Sequence, residues 1–292
     1  MSDIFSDSTI LVTGGTGSIG SAIVRELLTL APRAVRIFSR SEEKQFWMKR
    51  ELLGRQVRFL LGDIRDRERL SEAMCGVDYV FHCAALKHVD MCEYNPQEAV
   101  SVNATGTVNV LHAATAAGVK ALLHLSTDKV ANPNCVMAWT KGVAESAAKT
   151  HWRWNDHPRV VIVRLGNVLY SSGSLGAVIS ECVQKGQAYP LVNREMSRYF
   201  ISAPTAAAFI VRALLDGKSG EVWIPPMDER KVRDVARMMA AEAAKCYGKD
   251  YDPDNCVLCE PKAGENVRES LWTDSELLRI ENRGDACIIP VL

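Results

Sequence analysis

Short apolar, β-rich runs alternate with amphipathic stretches through the first half of this chain. The runs are Thr9–Val12, Val35–Phe38, Val57–Leu61, Tyr79–Cys83, Ala121–Leu125 and Arg159–Arg164. Helical patterns follow the first run through Leu30, occupy Pro96 to Ala117, and resume near Met137 in an alanine-rich stretch. This alternation predicts an α/β fold, a doubly wound parallel sheet with helices on both faces. Ligands of such sheets sit outside the carboxyl ends of the strands, so the polar residues after each run are the candidates for chemistry. Beyond Arg164 the pattern loosens. A loop at Tyr170–Leu175, a helix from about Ala177 to Lys185 and the stretch Glu195–Phe200 lead to a helix from about Pro204 to Leu215. A short strand at Glu221–Ile224 and a helix at Val232–Tyr247 follow, the methionines of that helix serving as core filler. The expected organisation is a dinucleotide-binding domain over 1–168, completed by a helix at about 204–216, with a smaller cap from 169–203 and 217–292. No internal repeat or linker interrupts it.

The first run ends in Thr13-Gly14-Gly15-Thr16-Gly17-Ser18-Ile19-Gly20. Glycines at 14, 17 and 20, between a strand and a helix, permit a tight turn and close backbone approach. The free amides at the helix N-terminus then suit a pyrophosphate. The second run ends in Ser39-Arg40-Ser41, where an NAD-binding chain would usually place an acid for the ribose hydroxyls. An arginine flanked by hydroxyls suits a 2′-phosphate instead and favours NADP. Glu42 and Glu43 fall in the next helix. After the third run, Asp63 is placed to accept from an adenine amino group, with Ile64 packing on the ring. After the fourth, Ala84 and Ala85 let the backbone lie against a cofactor, and Lys87 and His88 face the same crevice. His88 is equally readable as a structural histidine. Asn103, within the helical stretch that follows, reads as a residue tying two loops together.

The stretch from Ser126 to Lys141 holds the densest chemistry. The fifth run delivers Thr127, Asp128 and Lys129 to its carboxyl end. Met137 and Lys141, four residues apart, share a helix face. A hydroxyl, a carboxylate and two amines so placed suit proton transfer on a small polar substrate.

Composition narrows the partners. Lys+Arg and Asp+Glu are both 35, so the formal net charge is zero, and nothing favours nucleic acid or an anionic membrane. No apolar run has the length of a membrane span, and the polar, acidic start at 1–8 is unlike a signal peptide. The nine cysteines include one isolated pair at Cys256 and Cys259, too few for a four-ligand zinc site. Free thiols in a reducing cytoplasm are expected.

TGGTGSIG, SRSEEK, GDIRD, CAALKHV, STDKVANP, the lysine of MAWTK, RLGNV, MSRYF and KAGENVRE occur in this order. The chain resembles an extended short-chain dehydrogenase/reductase (Rossmann fold) of the polysaccharide-biosynthesis type, and within it the UDP-N-acetylglucosamine 4,6-dehydratases. The resemblance covers nearly the whole chain. It implies NADP held by Gly14, Thr16, Gly17, Ser18, Ile19, Gly20, Ser39, Arg40, Ser41, Lys44, Asp63, Ile64, Ala84, Ala85 and Lys141. It implies a UDP-sugar contacted by Lys87, Asn103, Asn167, Val168, Arg198, Lys262 and Glu265, and usually a homo-oligomer. Thr127, Asp128, Lys129, Met137 and Lys141 then form the catalytic group, with Asp128 and Lys129 as the acid/base pair of an elimination. Which of the two is the acid stays open.

One departure matters. Most of the superfamily has tyrosine four residues before the lysine, where this chain has Met137, and a thioether takes no proton. Some capsule and O-antigen dehydratases resemble this chain in that respect. Ser172 and Lys262 stand where relatives often have arginine, which weakens both as phosphate contacts because neither offers the bidentate fork. Two other readings stay open, a related nucleotide-sugar epimerase or dehydratase and a non-catalytic NADP-binding protein.

Overall fold

A computed structural model describes residues 2–260 and 264–291. Six parallel strands appear where the apolar runs place them: β1 (Thr9–Thr13), β2 (Ala34–Ser39), β3 (Val57–Leu61), β4 (Tyr79–His82), β5 (Ala121–Thr127) and β6 (Arg159–Leu165). They belong to a nine-stranded sheet. Its order runs 281–283, 286–289, 222–224, then β6, β5, β4, β1, β2 and β3. The strand order therefore reverses between β1 and β4, the switch point where such sheets open a crevice for ligand. The segments 222–224, 281–283 and 286–289 join this main sheet, although their sequence positions fall in the expected cap.

Both faces of the sheet are covered, which is why the strands read as continuous apolar runs rather than alternating ones. One face packs Ile23, Val24 and Leu27 of the helix Ser18–Thr29 together with Ile210 and Leu214 of the helix Ala203–Asp216. The other packs Leu70, Met74, Val110, Leu111 and Ala148 from three further helices. Residues of the segments expected to form a cap bury a smaller cluster of their own, Ile179, Val183, Val235, Met239 and Ala240, around Tyr189.

Two local differences from the expected elements bear on the site. Strand β5 continues two residues further, with Ser126 and Thr127 paired to Arg164 and Leu165 of β6. The helical stretch from Pro96 is not uniform: residues Val100–Thr105 form a π-turn before the α-helix Gly106–Ala116 resumes. The widened turn carries Asn103. It ends at Gly106, where a Cβ would lie 2.6 Å from Ile64 Cδ1.

Several short strands beyond β6 have no counterpart in the sequence pattern. Segment 228–231 is exposed at every position, and 189–191 and 256–258 are only three residues each. Such segments carry too few buried positions to show a period.

Candidate active site

The carboxyl end of β5 leads into a single 3₁₀ turn, Asp128–Val130, before the helix Val136–Thr150 begins. The Thr127 hydroxyl donates to Asp128 Oδ1 at 2.9 Å, and the Lys129 ammonium donates to the same oxygen at 3.1 Å. Asp128 is fully buried. Its second oxygen, Oδ2, has no hydrogen-bond partner. A buried carboxylate oxygen left unpaired is costly, and here it sits beside a hydroxyl and an ammonium at a strand end facing the switch point.

Met137 and Lys141 lie on the inner face of the helix Val136–Thr150, and both are buried. Lys141 Nζ donates to the Leu125 carbonyl at 2.5 Å. Burial pushes its ammonium down to about 8, with Glu145 and Cys83 opposing the shift. Glu145, one helical turn further on, accepts from Ser126 Oγ at 2.6 Å and from Arg164 at 2.6 and 2.9 Å. Arg164 also donates to Glu276 at 2.8 Å and to the Leu271 carbonyl at 3.0 Å. These mutually satisfied charges clamp the end of β5 to the helix behind it and to the chain's last quarter. Every polar atom in such a network needs its partner, because the desolvation cost of each ion is met only by its contacts.

At the switch point, the turn after β1 is shaped as a cradle. Gly14 has φ +67°, and a Cβ there would lie 2.7 Å from the Ala84 amide. A Cβ on Gly20 would lie 2.3 Å from the Gly14 carbonyl. The helix that follows starts at Ser18 without a side-chain cap, so its first amides are open to an anion. The donor set and the missing side-chain bulk fit the pyrophosphate of a dinucleotide. Ile19 packs inward against the core, and Thr16 is half-buried on the turn.

The residues expected around the adenosine end divide. Arg40 is half-exposed, with Nη1 3.6 Å from Asp63 Oδ2. Asp63 is tied to Arg65 through both its oxygens, at 2.7 to 3.1 Å. Burial raises the Asp63 carboxyl, but the hydrogen bonds and charge of Arg65, with Arg40, outweigh it and hold it below its ordinary value. Ile64 turns its side chain into the core against Gly106, where it is 4% exposed. Ser41 caps the helix Glu42–Glu51 by accepting from the Lys44 amide at 3.3 Å, and Ser39 Oγ accepts from Gln45 at 3.0 Å. Each hydroxyl accepts in these contacts and keeps its own proton to donate.

On the sugar side, Lys87 Nζ donates to the Ser172 carbonyl at 2.6 Å, and Ser18 Oγ accepts from the Ser172 amide at 2.9 Å. The loop after strand 167–168 therefore lies over the glycine turn. Burial and the nearby Lys44 charge lower the Lys87 ammonium. Asn167 and Val168 pair with Phe200 and Ile201. Asn103 is buried, with its amide exchanging two hydrogen bonds with Leu86 at 2.7 and 3.0 Å and a third with Thr140 at 3.1 Å. It ties the loop after β4 to the helix carrying Lys141. Arg198 is also buried, donating to the carbonyls of Ser197, Asn266 and Val267. Glu265 is half-buried on that same loop, and Lys262 lies outside the described residues.

Over residues 10–290 the chain matches the family described as "Polysaccharide biosynthesis protein". The chain belongs to that family, and its sheet and glycine turn are those of an extended short-chain dehydrogenase/reductase. Within the family's reach, the "UDP-N-acetylglucosamine 4,6-dehydratase (inverting)" of Campylobacter jejuni is 36% identical over 81% of this chain and 72% of its own. The "UDP-glucose 4-epimerase" of Rickettsia canadensis is 31% identical over 99% of this chain and 84% of its own. The solved structure of Pen from Bacillus thuringiensis superposes with a TM-score of 0.92 at 36% identity, covering 98% of this chain and 89% of that one. Both named activities are conversions of nucleotide sugars.

Reading the family motifs alone passes over two carboxylates. Glu145 is four residues beyond Lys141 on the same helix face, a spacing visible in the sequence. Glu269 closes the KAGENVRE motif. Its place beside Lys129 arises from a contact across 140 positions, for which no local pattern gives a signal. Among the described residues no cluster of side chains suited to a metal ion occurs, and no helix is long and apolar enough to cross a membrane.

Proposed function

We propose that this protein is an NADP-dependent nucleotide-sugar 4,6-dehydratase acting on UDP-N-acetylglucosamine. The observation that carries the reading is the Asp128–Lys129 pair at the end of β5, with one buried carboxylate oxygen unpartnered, at the same carboxyl edge of the parallel sheet as the glycine cradle. The turn Gly14–Gly20 and the Ala84 backbone hold the pyrophosphate, Arg40 meets the 2′-phosphate, and Lys141 lies beneath the reacting end. A bound nicotinamide supplies the acceptor for the hydride of sugar carbon 4 and the donor that later reduces carbon 6.

With carbon 4 a ketone, the proton on carbon 5 becomes acidic. One member of the Asp128–Lys129 pair removes it. The other protonates the carbon-6 hydroxyl, the C6–O bond breaks, and water leaves. Met137 exchanges no proton, so removal of the proton from the carbon-4 hydroxyl falls to the same pair, with the Thr127 hydroxyl as the relay bonded to Asp128. The sugar nucleotide lies over Lys87, Asn167 and the loop that Arg198 holds. The product is a UDP-4-keto-6-deoxy sugar for surface polysaccharide or glycoconjugate synthesis, made in the cytoplasm by a homo-oligomer.

The 31% identity to a UDP-glucose 4-epimerase supports a second reading. An epimerase returns hydride to carbon 4 and loses no water, so it has no use for an acid and a base adjacent at the strand end. NMR of the product formed from UDP-N-acetylglucosamine separates the two. A new methyl doublet and a carbon-4 ketone (or its hydrate) are expected, and an inverted carbon-4 carbinol would reject the dehydratase.

A further inference from the structure

Loop 170–174 follows the strand 167–168, crosses the mouth of the crevice and enters the helix Leu175–Lys185. One of its residues, Ser172, is bonded to both walls of that crevice. Its amide donates to Ser18 Oγ at 2.9 Å, and Ser18 Oγ donates in turn to Ser172 Oγ at 3.2 Å. Its carbonyl accepts from Lys87 Nζ at 2.6 Å. Ser18 opens the helix after β1, and Lys87 follows β4. The two sides of the switch point are therefore bridged by a single residue at the glycine turn.

Both ends of the loop are fixed. At one end Tyr170 has φ +55°, a left-handed conformation that a bulky residue rarely adopts. Its ring lies against Gly176, where a Cβ would come within 3.1 Å of Tyr170 Cδ1. Its hydroxyl donates to Glu242 of the helix Val232–Tyr247. At the other end Gly173 has φ +68° and packs on His88, whose Cε1 would lie 2.5 Å from a Cβ there. Backbone strain of the kind at Tyr170 persists only where the surroundings hold it, and here the holder is the bond to Glu242. Ser172 and Gly173 are exposed. The loop's bonds to the walls therefore compete with water, and the loop opens locally without disturbing either core.

We propose that loop 170–174 is a strap that closes the crevice over a bound dinucleotide, and that Tyr170 and Glu242 are positioning residues that govern how fast the cofactor leaves. This rests on a dinucleotide being held at the glycine turn and applies to any sugar converted there. An anion on the open amides of the helix beginning at Ser18 is bounded by the walls that Ser172 joins, so its exit requires Ser172 to release one of them. Retention of that kind suits a reaction that returns its hydride to the sugar it came from, because the cofactor has to outlast the cycle.

The test follows release of NADPH, or of NADH should the protein bind only that, from the full-length protein by stopped-flow fluorescence, with the oxidised cofactor in excess as the displacing ligand. Tyr170→Phe and Glu242→Ala each remove one side of the anchor and touch neither wall. Each should speed release by about two- to tenfold, the worth of one net hydrogen bond. Both changes break the same bond, so the double variant should release no faster than the faster single one. In the cofactor-free proteins, hydrogen exchange should quicken at the Ser172 amide and stay as in the wild type along the helix Ser18–Thr29. Release at the wild-type rate in both single variants would overturn the strap, whether or not the Ser172 amide exchanges faster. Additive effects in the double variant would overturn the Tyr170–Glu242 anchor. Faster release with exchange raised throughout the helix Ser18–Thr29 would trace the effect to a loosened fold and overturn the proposal as well. Failure of the underlying reading looks different: wild-type protein would bind neither NADPH nor NADH, and the cofactor site would fall together with the strap.

Discussion

Asp128 Oδ1 accepts from both the Thr127 hydroxyl and the Lys129 ammonium, at 2.9 and 3.1 Å, while Asp128 Oδ2 is buried with no partner. The carboxylate is oriented through one oxygen and available through the other. Asp128→Asn and Lys129→Ala should each lower dehydration by about 100- to 10,000-fold, the range of a positioned acid or base, with cofactor affinity kept. Met137→Leu makes the contrast. The thioether carries no proton and the swap conserves volume, so this variant should keep most of its turnover. Near-normal rates for both Asp128→Asn and Lys129→Ala, measured in the same assay, would contradict the assignment.

On the proposed reading, cofactor choice turns on Arg40. Its partner Asp63 is already held by Arg65, so the half-exposed guanidinium is free to leave the 3.6 Å contact and meet a 2′-phosphate. Titration of the purified protein should give tighter binding of NADP than of NAD. Arg40→Ala should cost about 1.5 to 3 kcal/mol of NADP affinity, the worth of a hydrogen bond to a charged group, and leave NAD unchanged. Equal affinity of the wild type for the two cofactors would contradict this.

Stability should fall in acid because of two buried histidines. His82 and His124 are paired across β4 and β5. His82 bonds Thr13 and Thr107, whereas neither ring nitrogen of His124 has a partner. Burial, then the nearby Lys141 charge, pushes His82 down to about 3 and His124 well below its ordinary value of 6.5. The unfolded chain therefore takes up these protons first as pH falls below about 6.5. Each histidine should remove up to about 1.4 kcal/mol of stability per pH unit below that point. Melting temperatures from pH 7.5 to 5 should drop accordingly, and His124→Leu, which breaks no hydrogen bond, should flatten the slope. An unchanged slope in that variant would show that other groups govern the acid limb.

What the sequence makes legible follows from burial. Strands β1 to β6 are covered on both faces and stand out as apolar runs. The glycine turn is legible because φ +67° at Gly14 and the 2.7 Å approach of Ala84 leave no room for a side chain. Ser39 and Ser41 stand at positions that suit a ligand and also accept from a glutamine and cap a helix, while Ile64 packs into the core. Position after a strand does not tell a cap from a contact. The exposed strand 228–231 has no buried face to betray it. Glu269 reaches Lys129 only through the folded path of loop 264–269, a relation between residues far apart in the chain.

The central claim is that hydride leaves carbon 4 and returns at carbon 6 of the same sugar, with loss of water between. UDP-N-acetylglucosamine deuterated at carbon 4, incubated with catalytic enzyme and no added reductant, tests it directly by NMR. The account predicts a 4-keto-6-deoxy product with that deuterium on the new methyl group, and solvent deuterium at carbon 5 in a separate run in heavy water. Deuterium found at carbon 4 of the product, or stoichiometric accumulation of NADPH, would contradict it.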